Sequence, residues 1–219
     1  MVRKAENDIG SEPEMGPKSQ VWRIPARIDS IKADMKRDKA RFGFIDDGRG
    51  LRYEVPVLQM RIMDLAGAYR YRTWFLKNFP DDIGEPMMLL AWTAMFFHRQ
   101  ELIKAHEQLY RTVYSNLYIV PHVIDEPVGR YDIWHGSNCE EPEWFADYDF
   151  ASLEFINANF KSWIRKEYLS ESMRNEIEKF VKLGSLLKDE QDVKRRTAIV
   201  KELSEMRYKE KTTPSHRRA

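Results

Sequence analysis

The chain has 219 residues, of which 42% are hydrophobic and 32% charged, a composition typical of a globular protein with a charged surface. Lys and Arg number 36 against 35 for Asp and Glu, so the net charge of +1 argues against a strongly basic nucleic-acid scaffold. The single cysteine, Cys139, excludes an intrachain disulfide and fits a reducing compartment.

Targeting and membrane signals are also missing from the sequence pattern. Residues 1–20 lack the apolar core of a signal peptide, and the longest apolar run, residues 87–97, is too short to span a bilayer. We therefore expect a cytoplasmic protein that binds no membrane and uses no cofactor.

The first predicted helix follows a polar segment. Residues 1–20 have no apolar periodicity, and we expect a disordered tail there. Pro25 suits the first turn of a helix, and Gly43 marks its end. Between them, apolar residues recur three and four positions apart, which predicts a buried face made of Ile24, Ile28, Ile31 and Met35.

Two pairs of helices are predicted next. Residues 42–55 carry Asp and Gly in a pattern that indicates a loop, after which Pro56 begins a short helix. Its partner helix has a small residue, Ala68, near its start. In the second pair, residues 87–98 form a helix that is apolar on most sides and is therefore expected to be buried, and its partner helix contains Ala105.

The C-terminal half begins with residues 117–124, which predict a further helix or extended segment. Residues 125–149 are interrupted by Gly and Pro but hold five aromatic residues, so we expect an aromatic-rich loop packed against the body, with Trp134 in the core. A helical stripe resumes near Leu153, is interrupted near Ser170 and is expected to end at Gly184.

Residues 188–210 predict a charged helix, and residues 211–219 a basic, disordered tail. The predicted organisation is therefore a disordered N-terminal tail (1–20), a helical-repeat domain (21–187), and a charged C-terminal helix with its tail (188–219).

The two helix pairs resemble the tetratricopeptide repeat, a helical hairpin with large and small apolar residues at fixed positions. The residues that match those positions are Leu65, Ala68, Tyr71 or Arg72, Pro80, Leu89, Trp92, Phe96, Ala105 and Leu109. Ala68 and Ala105 are 37 residues apart in the chain, against a repeat period of about 34. Thr93 stands where the family usually has glycine, and we expect it to push the paired helices apart. Some blocks also resemble segments of bacterial proteins that carry such repeats, among them FGFIDDGRGLRYEV and WFLKNFPDDIGEP.

The resemblance implies an all-α fold in which the first helices of the hairpins line a concave, partner-binding groove. Methionine and phenylalanine on such a face would suit an apolar peptide or helix. The residues expected to face the groove are Met60, Arg61, Met87, Leu90, Ala94, Phe97 and His98. The alternative is that the chain covers this face with its own first helix or aromatic loop.

Evidence for catalysis is weak in the sequence. His122, His135 and Cys139 are the nearest approach to a metal cluster, but no fourth ligand completes a zinc motif. We therefore predict neither catalytic residues nor a metal site, and keep as an alternative a small enzyme or metal-assisted protein that uses these three residues.

A third interpretation is nucleic-acid binding. The run Arg41, Phe42, Gly43, Phe44 and Ile45 is similar to the base-stacking strands of cold-shock proteins, although the helical spacing before it argues against a strand. The basic tail would supply phosphate contacts. The function we expect is a non-catalytic module that binds a protein or peptide partner; the sequence does not predict its oligomeric state.

Overall fold

The computed structural model describes residues 21–145 and 148–208. Within these two ranges the regular structure is helical and no strand occurs, which confirms the predicted all-α class. The predicted tails, residues 1–20 and 211–219, lie outside the described residues. The α-helices in these ranges are α1 Ile24–Phe42, α2 Leu51–Arg61, α3 Leu65–Asn78, α4 Pro86–His98, α5 Leu102–Ser115, α6 Ile119–Val123, α7 Ala158–Tyr168, α8 Glu171–Asp189 and α9 Val193–Tyr208.

Helix α1 is amphipathic, and its predicted bounds and buried face are confirmed. Pro25 lies in the first turn, where its missing N–H costs no hydrogen bond. Gly43 caps the end with a φ of +81°, a left-handed conformation that favours glycine, and its N–H donates to the Lys39 carbonyl. The buried face packs on α2 and consists of Ile24, Ile28, Ile31 and Met35.

Helix α2 begins earlier than its proline indicates. It starts at Leu51, so Pro56 lies inside it, and the prediction that Pro56 opens the helix is wrong. The Asp47 carboxylate caps the helix by accepting hydrogen bonds from the N–H groups of Leu51 and Arg52. Pro56 has no N–H for the Arg52 carbonyl. The Tyr71 hydroxyl of α3 donates to that carbonyl instead, at 3.0 Å, and so joins the two helices.

The N-terminal cap of α3 depends on a glycine in the first turn of that helix. The Asp64 carboxylate accepts a hydrogen bond from the N–H of Gly67 at 2.8 Å and caps α3. A Cβ at Gly67 would lie 1.9 Å from Asp64 Oδ2 and 2.8 Å from Gln59 Nε2. A larger residue at this position would therefore displace the cap.

Helix α4 lies at the centre of the molecule. Residues 86–96 are all buried, in agreement with their apolar sequence, and helices α2, α3, α5 and α7 all pack against α4. The hydroxyl oxygens of Thr93 and Thr112 (α5) are 2.9 Å apart, and the Thr93 hydroxyl donates to the Leu89 carbonyl. The Thr93 hydroxyl thus has hydrogen-bond partners inside the core, whereas the buried Nε1 atom of Trp92 has none among the described residues.

Two alanines occupy equivalent places in the second helix of each pair. Ala68 is the fourth residue of α3 and Ala105 the fourth residue of α5, and both are fully buried. Helix α2 packs on α3 and α4 packs on α5, each pair joined by a three-residue turn. The small side chains allow neighbouring helix axes to approach.

Helix α8 corrects two predictions. It continues to Asp189, so the prediction that Gly184 ends it is wrong. Gly184 instead allows close approach, because a Cβ there would lie 3.0 Å from the Cβ of Ile133, and its carbonyl accepts a hydrogen bond from the N–H of Trp134. Ile133 is 9% exposed and Trp134 40% exposed, so Trp134 does not fill the core as predicted.

The charged C-terminal helix, α9, begins at Val193 rather than at residue 188. It packs against α8 and α5 through a sparse apolar side, of which Leu203 is 6% exposed. Val193 and Val200, two further apolar residues of α9, are exposed.

We expect Tyr71→Phe to lower the free energy of unfolding by about 1–2 kcal/mol, because it leaves the Arg52 carbonyl beside Pro56 without a donor. Urea unfolding measures the change. The control is Tyr208→Phe, whose partly exposed hydroxyl donates to the Asp81 carbonyl at 2.7 Å and should cost less than about 0.5 kcal/mol. Equal costs for the two variants would contradict this role of Tyr71.

Candidate functional site

A groove lies between α1 and α3. Both helices contact α2, and their diverging surfaces leave an open space of about 610 Å³. Its floor and walls are mainly apolar, with Met35 and Tyr71 buried and Ile45 and Trp74 half-buried. The volume is in the range of ligand pockets and of grooves that accept a few side chains. We call this space the α1–α3 groove.

Four cations surround the α1–α3 groove. Three of them lie on one face of α1 at a spacing of four and three residues, and the fourth lies on α3; they are Lys32, Lys36, Lys39 and Arg70. All four are exposed, and none forms a salt bridge in the described part of the chain. The groove therefore combines an apolar floor with an uncompensated positive rim.

Two polar side chains reach the inner end of the groove. The Asp64 carboxylate caps α3 through Gly67 and is thus engaged. Gln59 is 1% exposed, and its Oε1 atom has no hydrogen-bond partner. An unpartnered buried amide costs free energy unless another group meets it, so Gln59 marks a point where a bound molecule would gain a hydrogen bond.

The loop after α1 closes one end of the groove and presents two aromatic rings. Ile45 lines the groove, while Phe42 and Phe44 are 49% and 61% exposed, with ring centroids 6.1 Å apart. The Arg41 guanidinium lies 5.0 Å from the centroid of the Phe42 ring. These residues form a helix end and a loop, not the strand that the cold-shock resemblance would require.

A network of partly buried charges holds this loop in place. Arg52 Nε lies 2.9 Å from Asp82 Oδ2, and Arg52 Nη1 lies 3.2 Å from Asp47 Oδ2. The Tyr53 hydroxyl donates to Asp82 at 2.8 Å. Burial and the hydrogen bond to Asp82 raise the pKa of the Tyr53 hydroxyl, so it stays protonated as a donor. The network fixes the loop 43–50 against α2 and the segment before α4.

The groove predicted from the repeat resemblance is not open. Four of its seven residues are at most 1% exposed, namely Met60, Met87, Leu90 and Ala94. The Phe97 ring contacts Phe160 and Trp163 of α7, at centroid distances of 5.4 and 5.2 Å. His98 Nε2 lies 2.8 Å from the Phe155 carbonyl oxygen.

Arg61, the seventh residue, is half-buried at the end of α2. At Phe97 and His98 the chain itself covers this face, with α7 and with the segment that precedes it. The signal for burial was the apolar character of α4 on every side. The signal for the α1–α3 groove was a lysine row beside Met35 on α1.

The three residues of the enzyme alternative do not form a recognisable centre. The His122 ring contacts Phe145 and Phe150, at centroid distances of 5.2 and 5.1 Å. Cys139 is half-buried, and burial raises the pKa of its thiol, which disfavours the nucleophilic thiolate. In the ranges 21–145 and 148–208, no group of three His, Cys, Asp or Glu side chains could hold a metal ion.

The aromatic-rich segment is anchored at the start of α4 by a half-buried carboxylate. Glu85 accepts hydrogen bonds from the N–H groups of Met87 and Met88 and from Trp144 Nε1, at 2.9–3.0 Å. Burial raises the pKa of the Glu85 carboxyl, and the three donors act in the opposite direction. Glu85 thereby serves both as the cap of α4 and as the attachment point of the segment.

Comparison with models of protein families, with curated proteins and with solved structures gives no match. Among the helices that the structure describes, none is both long enough and apolar enough to cross a bilayer. The function must therefore be argued from the geometry.

We expect Leu90→Ala to lower the free energy of unfolding by about 2–5 kcal/mol, because it opens a cavity beside a fully buried position. Leu102→Ala, at a position 46% exposed, is the matched control and should cost less than about 1 kcal/mol. Chemical denaturation compares the two. A cost at Leu90 as small as that at Leu102 would mean that the α4 face is accessible after all.

The raised pKa of Glu85 predicts a pH-dependent stability. Between its ordinary pKa of 4.5 and the raised folded value, the folded chain retains a proton that the unfolded chain has lost. Stability from this group is therefore present at low pH and lost as the pH rises through that window. The unfolding free energy of the wild type relative to Glu85→Gln should fall across the same window.

Trp144→Phe supplies the matched test, because it removes one donor to the carboxylate and should move the upper limit of the window to higher pH. Denaturant titrations at a series of pH values measure both effects. A difference curve that rises with pH would show that the hydrogen bonds outweigh burial at Glu85.

Proposed function

We propose that this chain is a non-catalytic protein-interaction module that binds a partner protein in the α1–α3 groove. The observation that supports this most strongly is the coincidence of an open apolar floor with an unpaired positive rim on one surface. Folding neither fills the space above the apolar floor nor pairs the positive rim with carboxylates in the described chain. A bound protein segment would cover the apolar area and neutralise the charge.

The helix pairs support the tetratricopeptide-like interpretation as part of this proposal. Helices α2 and α3, and α4 and α5, are successive packed pairs with a buried alanine at the same place in each second helix. Proteins of that family bind peptides on helical surfaces. We propose a binding surface different from the one the resemblance implied, because α7 covers the inner face of α4.

The enzyme alternative gains no support from the described geometry, whereas one observation favours nucleic-acid binding. Phe42 and Phe44 are exposed next to Arg41, an arrangement that could stack on bases. The apolar floor, lined by Met35 and Trp74, offers no favourable contact to a phosphate backbone. We therefore favour a protein partner and treat nucleic-acid binding as an outcome of the test. The free thiol of Cys139 suits a cytoplasmic site of action.

Site-specific photo-crosslinking tests the proposal. A benzophenone amino acid is placed at Ala40, which lines the groove and is exposed, or at Ala66, which is exposed on α3 and outside the groove lining. We expect one defined protein to be captured in native lysate from position 40 and not from position 66. Mass spectrometry identifies the adduct.

The control separates groove binding from general adhesion. Trp74→Ala removes a wall of the groove and should abolish the adduct, whereas Trp22→Ala, at a 69% exposed position near the start of α1, should not. Circular dichroism verifies that both variants remain folded. Equal capture from positions 40 and 66, no protein adduct, or only nuclease-sensitive adducts would each refute the proposal.

A further inference from the structure

On the basis of the proposed function, we infer that the α1–α3 groove receives an acidic amphipathic helix of a partner protein. The juxtaposition that carries this inference is a lysine row on α1 facing Arg70 on α3, with Met35, Tyr71 and Trp74 between them. The rim selects the charge of the occupant, and the floor selects its apolar stripe.

Charge complementarity identifies the partner as acidic. Lys32, Lys36 and Arg70 have no carboxylate partner in the described ranges, and Lys39 donates only to the Asn78 side-chain oxygen at 2.6 Å. The groove between α8 and α9 differs, since there Lys179 and Glu202 pair at 2.7 Å and neutralise each other. The lining of the α1–α3 groove holds these four cations and one carboxylate, Asp64, so the groove keeps a net positive charge.

The spacing of the lysines favours a helical partner. Lys39 lies seven positions after Lys32 on α1, with Lys36 between them, a distance of about 10.5 Å, or two turns. A partner helix lying along α1 would repeat its carboxylates over the same length, at intervals of three and four residues. Such a helix would place its apolar stripe on the floor, the helix-in-groove mode of recognition.

The inner end of the groove adds one polar requirement. The side-chain amide of Gln59 is buried there, and its Oε1 atom lacks a partner. A side chain of the occupant that carries an N–H or O–H group would satisfy this atom if the Gln59 amide turned toward the groove. We therefore expect the occupant to use a tryptophan, tyrosine, serine or threonine at that point.

Three matched synthetic helices test the charge and the shape together. Each is a fluorescent peptide of about 18 residues, or five turns, with the same leucine stripe and flanks of Glu, Gln or Lys. We expect the Glu peptide to bind the full chain at least about tenfold more tightly than the Gln peptide. The advantage should shrink in about 0.5 M salt. Fluorescence anisotropy gives the affinities.

Charge reversal on the protein supplies the decisive variant. Lys32→Glu/Lys36→Glu/Lys39→Glu should reverse the preference, so that the Lys peptide binds better than the Glu peptide. A second variant, Lys32→Gln/Lys36→Gln, keeps the test valid if reversal destabilises α1, and should remove most of the advantage of the Glu peptide. Circular dichroism checks the helix content of each.

The matched control changes the same charge elsewhere. Lys166→Glu/Lys182→Glu/Lys194→Glu alters three exposed lysines on α7, α8 and α9 that form no salt bridge in the described chain. This variant has the same net charge as the groove triple and should leave the preference for the Glu peptide within about twofold of the wild type. A long-range charge effect would change both triples alike.

The outcomes separate this inference from the proposed function. A protein adduct from position 40 with no preference among the three peptides would overturn the acidic-helix inference and leave the module intact. Equal loss of binding in both lysine triples would also overturn it. A generic single-stranded oligonucleotide that displaces the Glu peptide from the wild type and fails to bind the groove triple would assign the rim to phosphate instead.

Discussion

A helix that is apolar on every side must be covered on every side, and this requirement organises the structure around α4. Residues 86–96 are buried, and α2, α3, α5 and α7 surround them. Burial of apolar area stabilises a fold by about 25 cal/mol per Å². The inner face of the helix pairs is consequently occupied by the chain itself, and the α1–α3 groove lies in the outer layer, where α1 and α3 both pack on α2.

Polar groups decide where the helices around α4 begin, and through this they shape the groove. Asp47, Asp64 and Glu85 each cap the helix that follows. Asp47 also pairs with Arg52, which holds the loop carrying Ile45 at the end of the groove. The contact between Tyr71 and the Arg52 carbonyl places α3 beside α2. Helix caps, an ion pair and a side-chain hydrogen bond thus shape the groove together with apolar packing.

Apolar periodicity predicted those parts of the fold in which one helix determines its own burial. The face of α1 and the burial of α4 follow from residue spacing alone. The predictions from sequence are wrong where a residue distant in the chain determines the local structure. Pro56 is tolerated inside α2 because Tyr71, far along the chain, meets the freed carbonyl, and Gly184 is needed by Ile133 rather than by a helix end. The groove was missed because it lies between two helices whose relative position no local pattern specifies.

The near-neutral charge of the chain conceals the local positive charge around the α1–α3 groove. The net charge of +1 is a sum over the whole chain. It includes ion pairs such as Arg52 with Asp82, which cancel, and also cations that form no ion pair in the described ranges. Exposed lysines cost little in water and can lie along apolar surface with their stems, so the unpaired row on α1 does not destabilise the fold. Apolar area or charge alone would each give weak binding, because each must overcome the entropy of association. When both occur on one groove, a ligand that matches both gains more than one that matches either, and selectivity follows from the pairing.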